Sequence, residues 1–247
     1  LIMKKFNKTI VKYSKKYLVR YSIEFLVIVL GITFSFYLEE KRSNQELRTL
    51  SKDLKENLLD EVYEIEKYMT EREVAFKGDG KLLRALQDLK VSTDSLFELE
   101  TNPSMYGVTL FNYRGFKPPV AFYNSLVNDG KIRYLETSTI KEELDQMHNV
   151  HFYYIDTNVE DEAVAQRKVM DYFQKNHPEL FINSNEDNPN KVYISKIKEV
   201  INDDITLRAI LYQKSIAIEQ KIAGFENYSN SLNKIKKAIL SDLTNKP

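Results

Sequence analysis

The sequence predicts an all-α protein: a single transmembrane helix followed by an elongated antiparallel helical bundle. Three observations predict it. Residues 25–38 form an uncharged, mostly apolar run behind a strongly basic flank. Apolar residues recur at steps of three and four over three long stretches, the spacing of one helix face. Helix breakers are scarce, with 7 Gly and 6 Pro in 247 residues, which disfavours many short strands joined by turns.

The membrane segment comes first. Lys4, Lys5, Lys8, Lys12, Lys15, Lys16 and Arg20 place seven cations and no acid in residues 1–21. The 14 uncharged residues that follow Glu24 reach about 21 Å as a helix. A bilayer core needs roughly 20 residues. The span therefore extends toward its N-terminal side, to Tyr21 and beyond, and Glu24 falls at or inside the edge of the apolar layer. A cleaved signal peptide would end in a small-residue site; this run ends Tyr37-Leu-Glu-Glu-Lys-Arg42. A buried core helix would not call for such a basic flank.

Charge sets the orientation. Residues 39–60 hold five cations and six acids, so the positive bias lies before the span. The positive-inside rule then puts the N-terminus in the cytoplasm and residues 39–247 in the periplasm. The organisation expected is a basic juxtamembrane segment over 1–20, a transmembrane helix over 21–38 and a periplasmic bundle over 39–247. Phe6, Ile10, Tyr13, Tyr17 and Tyr21 share one helix face with lysines on the others, a pattern suited to an anionic leaflet and equally to a solvated basic tail.

Beyond the span, Leu47, Leu50, Leu54, Leu58, Val62, Ile65 and Met69 mark a long amphipathic helix. No Gly or Pro separates Gly31 from Gly78, so the membrane helix is expected to continue into it, with Gly78-Asp79-Gly80 as its end and a short helix through Leu82, Leu83, Leu86 and Leu89. Its apolar face is expected to be covered by the chain's own helices rather than by a coiled-coil partner. Residues 106–113 read as a short extended piece. Pro119 and Gly130 bracket a helix. Thr139-Ile-Lys-Glu142 reads as a capping box opening a helix that stops before His177-Pro178. A polar loop over 183–191, a short helix over 192–201 and a last long helix capped by Asp203 or Asp204 complete the chain.

Composition and motifs narrow the function classes. Zero Cys excludes disulfide scaffolds and Cys-ligated zinc. Lys+Arg and Asp+Glu are balanced at 36 each, which gives no general case for nucleic acid as a partner. The chain has no P-loop, G-x-S-x-G, G-x-G-x-x-G or H-E-x-x-H, so no catalytic residue, cofactor-binding residue or cofactor is assigned and a non-enzyme is expected. Asp145, His148 and His151 have a ligand-like spacing, but no matching acid–histidine pair stands on another helix, so they read as core-edge residues and no metal ligand is assigned. The aromatic residues Tyr106, Phe111, Tyr113, Phe116, Phe122 and Tyr123 around Arg114 read as packing rather than as a groove.

Two features of the span carry functional weight. Glu24 is an intramembrane charge, a functional candidate by default. Arg20 lies one turn earlier and can pair with it, which favours a local pair or an assembly contact over ion transport. Gly31 and Ser35 form a small-xxx-small pair that allows helix–helix association. The partners expected are the lipid bilayer and either further copies of the chain or a larger membrane complex.

The residues Glu24-Phe-Leu-Val-Ile-Val-Leu-Gly31-Ile, Phe122-Tyr-Asn-Ser-Leu126, Gly130-Lys-Ile132, Ile140-Lys-Glu-Glu-Leu144 and Tyr153-Tyr154 stand in this order. The arrangement resembles a domain-of-unknown-function family of bacterial single-pass inner-membrane proteins common in Bacteroidota. The resemblance implies a single span and a helical periplasmic part, and no activity. The expected role is thus a non-catalytic scaffold or interaction protein. The alternatives are a periplasmic ligand sensor or an ion-coupled subunit using Glu24.

Overall fold

The computed structural model describes residues 2–100, 102, 104–183 and 191–244, with side chains for these apart from 2–20 and 183. The described residues are helical or irregular, with no strand among them. The chain divides into two units, residues 1–53 and 54–247. Helix α1, Ile2–Gln87, contributes to both.

The first unit is formed by α1. Side chains 21–49 are all exposed. Over 39–49 the helix is polar nearly all round, with Leu47 as the one large apolar residue, so this stretch has no face to bury.

In the second unit α1 continues with a buried stripe, Leu54, Leu58, Val62, Ile65, Met69 and Phe76. The chain's own helices cover it. The expected stop at Gly78-Asp79-Gly80 does not occur. A helical Gly costs only about 1 kcal/mol against Ala, and burying Leu82, Leu83 and Leu86 stabilises by about 1.5–3 kcal/mol each, so the helix continues to Gln87. Gly80 also admits a close neighbour: an added Cβ there would meet Ile218 Cγ2 at 3.3 Å.

Short helices α2 (Thr93–Leu99), α3 (Ser104–Phe111) and α4 (Ala121–Asn128) follow. The extended piece expected over 106–113 is mostly α3. Its two-sided burial of Tyr106, Gly107, Thr109, Leu110 and Phe111 hid the helical period. Gly130 adopts φ +64°, a left-handed stop after α4. Helix α5 (Ser138–Asp145) then passes through a π turn, Gln146–His151, into α6 (Phe152–Asn176). The capping box does not form: α5 starts one residue before Thr139, and Thr137 at the cap position makes no side-chain cap bond and donates its hydroxyl to Asp242. Helix α6 ends at His177-Pro178 as expected. After α7 (Pro178–Asn183) the polar loop falls largely outside the described residues. Helices α8 (Lys191–Asp203) and α9 (Ile205–Thr244) close the fold. Asp204 caps α9, its Oδ1 accepting from Thr206 N at 2.6 Å and Leu207 N at 3.0 Å.

Cross-helix pairs fix the directions. Lys55–Asp242, Glu66–Lys236, Arg84–Glu219 and Gln87–Ser215 run up α1 and down α9. Glu143–Lys234, Glu162–Lys221 and Lys168–Gln213 do the same between α5–α6 and α9. The crossover between α3 and α4 runs back along α1: Thr109 and Arg114 meet Asp79, Lys117 meets Tyr68, and Phe122 and Tyr123 meet Glu61. The second unit is thus an up-down-up-down bundle whose second column is two short helices and an irregular link.

Candidate functional site: membrane segment and buried polar network

The candidate membrane segment is built from α1 alone. From Tyr21 on, α1 is long and apolar enough to cross a membrane, and none of its most apolar 18-residue window is buried within the protein. Phe25, Leu26, Val27, Ile28, Leu30, Ile32, Phe34 and Phe36 are all more than half exposed. The core helix of a water-soluble fold buries such residues; these need another apolar environment. Polar groups within the run are internally satisfied. Thr33 Oγ1 donates to Val29 O at 2.8 Å and Ser35 Oγ to Gly31 O at 2.9 Å. Gly31 has no heavy atom within 4 Å of where a Cβ would stand, so the Gly31–Ser35 face is open to close approach. Glu24 sits exposed at the N-terminal end of the run. The side chains of Lys4, Lys5, Lys8, Lys12, Lys15, Lys16 and Arg20, and the aromatic face from Phe6 to Tyr17, lie outside the described residues.

The second unit holds a buried polar network that ties the irregular column to the long helices. A helix leaves its last carbonyls without intrahelical donors, and helices of eight residues are too short to stand alone. Here lysines from other helices supply the donors. Lys214 Nζ, on α9, donates to Thr109 O at 2.6 Å, Leu110 O at 3.1 Å and Asn112 O at 2.7 Å, at the end of α3. Lys198 Nζ, on α8, donates to Ala85 O at 3.3 Å, Leu86 O at 2.7 Å and Asp88 O at 2.6 Å, at the end of α1. A cation at a helix C-terminus is also favoured by the helix dipole. At the opposite pole, Glu61 on α1 accepts the Phe122 and Tyr123 N–H groups at 2.5 and 2.9 Å and so caps α4, for which Val120 offers no side-chain cap.

Two ion pairs complete the network. Arg114 Nε meets Asp79 Oδ2 at 2.5 Å, and Thr109 Oγ1 donates to Asp79 Oδ1 at 3.0 Å. Lys221 pairs with Glu162 and lies 4.1 Å from the centroid of the Phe76 ring. Burial pushes the Lys214 ammonium down to about 8 and lowers Lys198 and Lys221 as well, because a low-dielectric interior disfavours the charged form. The same effect raises Glu61.

An aromatic cluster lies beside this network. Phe116 meets Tyr68, Phe152, Phe225 and Tyr228 at ring-centroid distances of 5.2–6.0 Å. Tyr106, Phe111 and Phe116 are buried, as expected of packing residues, and Tyr113 is exposed. The residues of the ligand-like triplet each have other neighbours. His148 stacks on Tyr123 with centroids 3.6 Å apart, Asp145 accepts from Asn149 at 2.6 Å, and the charges of Glu143 and Lys234 act on His151. Among the described residues no group of three His, Cys, Asp or Glu is placed to hold a metal ion.

The buried lysines were the residues missed in the sequence, and a signal for them existed. On α9 the positions 207, 211, 214, 218, 221, 225 and 228 step strictly by four and three, and lysine fills two of them. A lysine at such a position is either a break in the apolar face or a buried cation with partners.

Comparison of the chain with protein-family models, with curated proteins and with solved structures found no match.

Proposed function

We propose that the protein is a membrane-anchored, non-catalytic scaffold: one span near the N-terminus holds a helical bundle on the periplasmic side of a bacterial inner membrane. The observation that carries this reading is the exposure of the apolar side chains from Phe25 to Leu38, which lipid would cover and the protein does not. The basic flank before the span gives the orientation. The polar stretch over 39–49 suits a spacer in water. The long helices meet one another through buried apolar stripes and through lysines bound to carbonyls, an arrangement that stabilises a shape. The open Gly31–Ser35 face favours docking onto a second span, of the same chain or of a larger complex. The resemblance of residues 24–32 and 122–154 to the Bacteroidota single-pass family is in keeping with this topology.

Two measurements test it. Carbonate washing of membrane vesicles should leave the full-length protein in the pellet, and protease added to sealed spheroplasts should digest residues 39–247. Recovery in the carbonate supernatant, or full protection from protease, overturns the reading. Cross-linking in intact membranes followed by capture of the full chain should yield a dimer or a second membrane protein; a monomer alone removes the scaffold role and leaves an anchored bundle.

A further inference from the structure

We infer that Tyr228 and His148 together bind one water molecule inside the bundle of the second unit. Tyr228 is fully buried, with a relative exposure of 0%. Its hydroxyl and the Nε2 atom of His148 are both shielded from solvent, and neither meets a protein donor or acceptor. Buried polar atoms in folded proteins are almost always hydrogen-bonded, to protein or to ordered water. Two such atoms without a protein partner therefore call for one from outside the chain.

The two side chains are direct neighbours in the fold. The two rings meet edge to face with centroids 6.3 Å apart and an interplanar angle of 85°. His148 is held flat on Tyr123, centroids 3.6 Å apart and planes 12° from parallel, which fixes the plane in which its nitrogens lie. Tyr228 is fixed from the other side by Phe116, edge to face at 5.2 Å. Glu61, whose charge acts on Tyr228, takes the N–H groups of Phe122 and Tyr123, and the Tyr68 hydroxyl accepts the N–H of Lys117. The turn that carries His148 is a π turn, Gln146–His151, a local widening of the helix that occurs where a side chain is re-aimed.

The chemistry selects water. The tyrosine hydroxyl can donate, and a neutral imidazole nitrogen accepts. A water molecule accepts from the first and donates to the second, which gives it the two polar partners that a buried water needs. Among the described residues no group of three His, Cys, Asp or Glu is placed here to hold a metal ion.

The test uses the full-length chain in detergent micelles. Tyr228→Phe and His148→Phe keep the ring shapes and each delete one anchor of the water. Each single variant is expected to lower the Tm by about 2–4 °C, and the double variant to lower it no further than the larger single effect, since either change releases the same molecule. A crystal structure of the wild-type protein is expected to show a density peak within hydrogen-bond reach of both Tyr228 Oη and His148 Nε2. A rise in Tm for either single variant overturns the inference, because deleting a polar atom that has no partner relieves its desolvation. Strict additivity in the double variant overturns it too. Should a variant fail to fold, the wild-type density decides: a peak that touches both atoms supports the site, and an empty map or a peak on one atom alone overturns it.

Discussion

Lys221 and Glu162 are ion-paired with side-chain exposures of 1% and 2%, joining α9 to α6 in the middle of the bundle. Removing both charges from water is costly, and their mutual attraction offsets that cost only while both are present. Glu162→Gln or Lys221→Met alone is expected to destabilise the protein by about 3–5 kcal/mol, because the surviving charge stays buried. The double variant Glu162→Leu/Lys221→Met is expected to regain most of that loss. Denaturant midpoints of the four proteins in one detergent check this; single variants that match the wild type would show that the pair is solvated.

Lys214 supplies donors to three carbonyls at the end of α3. Lys214→Met keeps the length and apolar stem of the side chain and removes the ammonium. The expected cost is about 1–3 kcal/mol for the carbonyls left without donors. Faster amide exchange should be confined at first to Ser104–Phe111, which is too short to hold itself. Exchange measured residue by residue separates this local loosening from a global loss of stability.

The two glycines at 78 and 224 are both inside helices and should respond to alanine with opposite sign. At Gly78 an added Cβ meets nothing within 4 Å, so Gly78→Ala is expected to stabilise by about 0.5–1 kcal/mol through the entropy of the unfolded chain. At Gly224 a Cβ would stand 2.7 Å from Tyr154 Cδ1 and 2.9 Å from Ile155 Cγ1. Gly224→Ala must therefore push α9 away from α6, at an expected cost of about 1–3 kcal/mol. Thermal melts of the two variants give the signs directly.

His148 sets an acid-side dependence. Burial holds its folded pKa down at about 4, against an ordinary value of 6.5. Between those values the unfolded chain takes up a proton and the folded chain does not. Stability from this group is therefore complete above pH 6.5 and falls as pH drops toward 4, by up to about 3 kcal/mol. Glu61 works the other way: burial raises its folded pKa, so the folded chain binds the proton first and gains on acidification. Stability measured from pH 7 to pH 4 in wild type and His148→Phe isolates the histidine contribution. The variant should show the shallower loss; parallel curves would place His148 in solvent.

Much of this architecture could be read from the chain itself, and the gaps have physical causes. The apolar steps from Leu54 to Met69 and along α9 are one-sided, so period and burial agreed. Asp204 before a long apolar run and Gly130 after a short one are local signals, and both held. The failures lie where a distant residue overrides a local rule. Gly78 and Gly80 did not stop α1 because Leu82, Leu83 and Leu86 bury beyond them. The capping box expected at Thr139 does not form because α5 already begins at Ser138, which puts Thr139 inside the helix. The helical α3 was obscured because it is buried on most sides and loses its period. The polar network was least legible, since Lys198, Lys214 and Lys221 act on carbonyls that are 102 or more residues away in no sequence pattern, and only their intrusion on apolar faces marked them.

The membrane assignment makes the most direct demand on a single residue. Val29 lies within the apolar run, exposed on a helix that none of the protein's own chain covers in that window. A soluble protein tolerates lysine at an exposed helical position with little change, since the charge sits in water. A span does not: a cation near the bilayer centre costs about 2.5–3.5 kcal/mol on insertion scales, and nearby helix ends offer it no route to the headgroups without tilting the rod. Val29→Lys is therefore expected to shift a large share of the protein from the carbonate pellet to the supernatant or to degradation. Val74→Lys, at an equally helical and 73% exposed position in the second unit, is expected to leave the partition unchanged. The contrast between the two substitutions, read by quantitative blotting of pellet and supernatant, separates a lipid environment from water along one continuous helix. Equal behaviour of the two variants would mean that residues 25–38 are covered by another protein surface in solution rather than by a bilayer.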